Sequence, residues 1–88
     1  MEKEEMLIQQ GEAADNLLKS DSFNNVVNSL VEATFQSFVN SNVEDTAGRE
    51  KTYNHYRALV DIVNTLRQRV TVKDEIEAKQ NDNSKEEE

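Results

Sequence analysis

Few residues in this 88-residue chain carry side chains suited to a reaction, and their spacing decides how to read them. His55 is the single histidine. As a zinc ligand it needs thiolate, imidazole or carboxylate companions. Its neighbours one helical turn away are Lys51, Thr52, Ala58 and Leu59, so it reads as a surface or edge histidine. Glu44, Asp45 and Glu50 are the obvious pair-forming carboxylates, but no nucleophile and no glycine-rich loop accompanies them. Glu44 and Asp45 are better used as negative charge at the positive end of a helix. With no cysteine, disulfides and thiolate metal sites drop out. The expectation is a non-enzyme with no catalytic residue, no metal site and no cofactor.

The cationic residues raise nucleic-acid binding. Arg57, Arg67, Arg69 and Lys73 share one segment, but on a helix Arg67 borders the apolar stripe while Arg57 and Arg69 point elsewhere. They make no continuous basic track, and a net charge of −8 opposes long-range attraction of phosphates. Ion pairing within or between chains is the expected use. Arg49 is placed to hydrogen-bond the open carbonyls at the end of the preceding helix, so Asp45 and Arg49 are expected to stabilise the turn between the helices. Tyr53 and Tyr56 fall on the apolar side, where core packing with a wet hydroxyl is the default and base stacking the weaker alternative.

The element that positions these residues runs over 45–71. Tyr53, Tyr56, Leu59, Val60, Val63, Leu66 and Val70 recur at steps of three and four and form one helical stripe. Asp45 or Thr46 can cap its first turn. The β-branched run Val70-Thr71-Val72 lowers helix propensity and is expected to end it. A second helix is expected over 21–39, capped by Ser20, with a wide apolar face that includes Phe23, Val27, Leu30, Phe35 and Phe38. Asn40-Ser41-Asn42 is turn chemistry, and so short a connection implies an antiparallel hairpin. A shorter helix is expected over 6–19, where Gly11 costs about 1 kcal/mol relative to alanine. From Asp74 the sequence is polar and acidic, and 74–88 is expected to extend the helix by a turn or two at most and otherwise to form a largely disordered tail.

Composition bounds the rest. There is no proline and only two glycines, which favours long helices. Residues 1–45 carry net −7, residues 46–73 net +4 and residues 74–88 net −5. A basic central helix between acidic segments favours packing within the chain or between subunits over a polyanion partner. The acidic N-terminus is not a secretory signal, and nothing approaches a membrane span, so a soluble intracellular protein is expected. A chain of this size buries little core alone, and its apolar residues lie on two stripes that self-association would cover.

Two groups of residues carry a family resemblance. Leu17-Leu18 precedes Ser20-Asp21-Ser22-Phe23, and Asp45-Thr46 with Arg49-Glu50 precedes an aromatic-rich helix with Ala58-Leu59 and Leu66-Arg67. Over roughly residues 13–75 the chain resembles small helical proteins of tailed bacteriophages, often encoded near head genes and mostly of unassigned function. Ser22 stands where a proline is expected and Gly48 lies within the Asp-Thr turn. The resemblance implies a phage context and a helical hairpin, and brings no active site.

Together these give an all-α protein: one domain over 1–73, with a short first helix and an antiparallel hairpin of two long helices, then an acidic tail. The expected helix–helix interface is Phe23, Val27, Leu30, Phe35 and Phe38 on one helix and Tyr56, Leu59, Val63, Leu66 and Val70 on the other. The expected function is association through helices as a homo-oligomer or with another phage or host protein, in the host cytoplasm or the virion. The alternative is an acidic inhibitor of a basic site on a host nucleic-acid-binding protein.

Overall fold

The computed structural model describes the backbone of residues 2–86 and the side chains of residues 2–82. The described chain is all helical: α1 spans Glu2–Lys19, α2 Asp21–Val39 and α3 Thr46–Glu86. No strand occurs among the described residues.

The breaks fall where capping chemistry is concentrated. Ser20 leaves helical geometry (φ −77°, ψ 121°), and its hydroxyl accepts the Phe23 N–H at 3.2 Å, so α2 starts one residue after α1 ends. At the far end of α2, Asn40 N–H donates to the Gln36 carbonyl at 3.0 Å. The Ser41 hydroxyl donates to the Phe38 carbonyl at 2.6 Å. Asn42 then closes a side-chain turn by accepting the Glu44 N–H at 3.0 Å. Asp45 accepts the Gly48 N–H at 3.0 Å and so caps α3.

The chain packs as two compact units, residues 1–19 with 65–88 and residues 20–64, with α3 contributing to both. In the first unit α1 lies against the C-terminal part of α3. Gly11 and Ala14 are its buried residues, with Ala14 only 2 % exposed. A Cβ at Gly11 would strike the Lys73 Cβ and come within 2.8 Å of the Arg69 carbonyl oxygen. Gly11 therefore lets the two helices approach closely, and the propensity it loses is offset by contact that no larger residue permits. Nearer the chain start, Gln80 Nε2 donates to Glu4 Oε2 at 3.3 Å.

This packing corrects two expectations. The first helix begins at Glu2, not near residue 6. The third does not end near residue 71: it continues through Glu86, so residues 74–86 are helical where a disordered tail was expected. Residues 87 and 88 of that segment lie outside the described residues. The reason is tertiary. Val72, Lys73, Ile76 and Glu77 are half-buried, in the unit that α1 shares. Within the β-branched run, Thr71 donates its hydroxyl to the Arg67 carbonyl at 3.1 Å and stays in the helix. Helices in proteins owe most of their stability to packing, not to propensity.

Candidate protein-interaction surface

The second unit is a pair of helical segments with apolar residues left uncovered. Phe38, near the end of α2, meets Arg49, in the first turns of α3. Leu30 and Thr34, earlier in α2, share a groove with His55, Ala58 and Leu59, later in α3. The apolar face of α2 is wider than one helix can cover. Phe23, Val27, Val31 and Thr34 along its middle are half-buried, while Val26 and Leu30 on one flank and Phe35 and Val39 on the other are exposed.

Two grooves result. One, of about 370 Å³, is lined by Phe38, Val43, Thr46, Arg49, Glu50 and Tyr53. Val43, in the connection between the helices, is 78 % exposed, and Tyr53 is 55 % exposed. The other, of about 270 Å³, holds Leu30, Thr34, His55, Ala58 and Leu59. Both are open surface features, and among the described residues no group of three His, Cys, Asp or Glu side chains is arranged to hold a metal ion. No helix among the described residues is long and apolar enough to cross a membrane.

The expected interface residues divide between the two units. Phe23, Val27, Leu59 and Val63 are half-buried in the second unit, whereas Leu30, Phe35, Phe38 and Tyr56 are exposed there. Leu66 and Val70 are half-buried but belong to the first unit, with α1, not to the unit that holds α2. Their stripe is continuous in sequence, but α2 is too short to follow it past the middle of α3.

Asp45 sits at the turn as a helix cap, but Arg49 departs from its expected role. Its guanidinium carbon lies 4.7 Å from the centre of the Phe38 ring, a cation–π contact, and its Nε is buried without a hydrogen-bond partner. The terminal carbonyls of α2 are instead engaged by Asn40 and Ser41. Glu50 lines the groove beside it. His55 is exposed within the other groove.

The cationic residues are dispersed. Arg57 pairs with Asp61 at 3.3 Å in the second unit, while Arg67, Arg69 and Lys73 belong to the first. The Lys73 ammonium lies 3.3 Å from Glu77 and 3.9 Å from Asp74. The hydrogen bond to Glu77, with the charges of Glu77, Asp74 and Glu12, holds its pKa above the ordinary lysine value, against a smaller opposing effect of desolvation.

Two contributors lacked a strong sequence signal. Val43 lies outside any periodic stripe, and its only mark is being apolar inside a polar turn. Gly11 carried a fainter one, since a glycine retained within a helical pattern often serves packing. No family model, no curated protein and no solved structure matches the chain.

Proposed function

We propose that this chain is a non-enzymatic protein that acts by helix–helix association, with a second copy of itself as the first partner. The observation that carries the reading is the apolar side chains left in water. In the second unit alone, Val26, Leu30, Phe35, Val39, Val43 and Tyr53 are each between 46 % and 78 % exposed. Exposed apolar residues are ordinary when scattered, but grouped on neighbouring helical turns they mark a contact surface.

In this reading α2 and the start of α3 act as an antiparallel hairpin that offers its uncovered flanks to a partner. The bacteriophage context, with the host cytoplasm or the virion as location, rests on the motif resemblance around Ser20-Asp21-Ser22 and Asp45-Thr46. The competing reading as an acidic inhibitor of a host protein rests on net charge, and the grouped apolar residues favour association over it.

The test is solution mass by light scattering across protein concentration at low and high salt. A discrete oligomer that persists in high salt is expected, because apolar contacts are not screened. A monomer at all concentrations would defeat the reading and turn attention to capture of a basic host protein.

A further inference from the structure

We infer that two copies of this chain meet through the groove that holds Phe38, Val43, Arg49, Glu50 and Tyr53, with Arg49 of each copy paired to Glu50 of the other across a two-fold axis. The inference rests on the association reading above and adds the face and the charge pairing that carry it.

The first observation is the state of Arg49. Its guanidinium is stacked on the Phe38 ring at 4.7 Å, and its Nε is buried without a hydrogen-bond partner. A buried donor left unpaired is costly, and so is a cation partly withdrawn from water with no anion beside it. Among the described residues no carboxylate supplies that anion. Asp45 Oδ1 accepts the Gly48 N–H at 3.0 Å, and Arg49 takes part in none of the ion pairs. Stacking fixes the guanidinium, while its two terminal nitrogens stay accessible at the groove. A planar fork held beside an aromatic ring is a prepared receptor for a carboxylate.

The second observation is Glu50. It lines the same groove, is exposed, and has no side-chain partner among the described residues. Arg49 and Glu50 are chain neighbours on a helix, so they leave its axis about 100° apart and do not close on each other. One unpaired cation and one unpaired anion in a single patch meet the requirement of a two-fold contact. There residue i of one copy touches residue j of the other, and j touches i.

The pairing also answers the charge of the whole chain. A net charge of −8 repels a second copy, but the arginine and the glutamate of this groove cancel, and crossed pairing makes the contact attractive where the copies touch. Val43 and Tyr53, 78 % and 55 % exposed, supply apolar area beside the two pairs. An arginine among aromatic side chains is also the residue type that most often dominates interface energies.

The experiment is reciprocal charge reversal in the full-length chain, read by sedimentation equilibrium. The samples are the parent, Arg49→Glu, Glu50→Arg, and an equimolar mixture of the two variants. Both replacements are good helix formers, and circular dichroism checks that each variant keeps the parent's helix content. Arg49→Glu makes the chain more acidic and Glu50→Arg makes it less so. If net charge alone governed association, Glu50→Arg would therefore strengthen it. Crossed pairing instead predicts that each variant alone associates about tenfold more weakly or worse, since like charges then meet at both contacts. The mixture should recover the parent's affinity as a heterodimer, because one chain then brings both anions and the other both cations. Should Arg49→Glu lose helix along with its Phe38 contact, the exposed Glu50→Arg variant decides alone. An oligomeric parent with unweakened Glu50→Arg, or with two folded variants that fail to recover on mixing, would overturn this face and leave the association reading standing. A monomeric parent would remove both.

Discussion

At the scale of single residues, the two glycines do opposite things to their surroundings. Gly11 clears the way for a neighbouring helix. A methyl group there meets the Arg69 carbonyl, which belongs to backbone and cannot swing aside. Gly11→Ala should therefore destabilise the fold by about 1–3 kcal/mol, the range for overpacking, even though alanine is the better helix former. A thermal melt decides it, and a higher midpoint for the variant would mean that α1 is not held closely. Gly48 instead leaves space for the Asp45 carboxylate, which a Cβ at that position would crowd. Asp45→Ala should cost about 1 kcal/mol in urea denaturation, the usual value of a lost N-cap, and Asp45→Asn should retain most of it. Lys73 gives a pH signature. Its folded-state pKa is raised, so its contribution to stability is complete below the unfolded value of 10.5 and is lost as pH rises through the folded value. The stability difference between the parent and Lys73→Met should stay constant through neutral pH and shrink in the strongly alkaline range.

At the scale of elements, α3 is the informative case. Its sequence loses the apolar stripe after Val72 and turns acidic, yet the helix continues through Glu86. Ile76, Lys79 and Gln80 border a groove with Glu4, so the second half of α3 and the first turns of α1 are mutual supports. Removing residues 74–88 should then raise amide hydrogen exchange in the first turns of α1 while leaving α2 protected. Unchanged exchange over residues 2–8 would show that α1 does not depend on that contact. In α2 the relation is reversed. Its apolar periodicity is strong, and the structure leaves both flanks of that face exposed.

At the scale of the whole molecule, very little is fully buried. Gly11 and Ala14 are the buried residues among those described, and both are small. A chain with so little interior gains stability from anything that covers its native surface. The melting temperature should accordingly rise with protein concentration, by an amount that follows the association constant. A midpoint independent of concentration over two decades would argue against coupling between folding and assembly.

The sequence by itself determined the all-helical class, the break at Ser20 and the ends of α2, and narrowed the cap of α3 to Asp45 or Thr46, because these are local. Capping side chains bond to backbone groups three residues away, and a three-and-four stripe needs no knowledge of its partner. It also carried the apolar character of the α2 face. Only the tertiary structure decided what each stripe touches. It divided the continuous stripe of α3, leaving Tyr56, Leu59 and Val63 with α2 and giving Leu66 and Val70 to the unit of α1. It stacked Arg49 on Phe38 in place of a carbonyl, and it turned Gly11 from a weakness in a helix into the point of closest approach. Those outcomes depend on residues about sixty positions apart meeting in space, as Gly11 and Lys73 do, and no local pattern encodes such a distance.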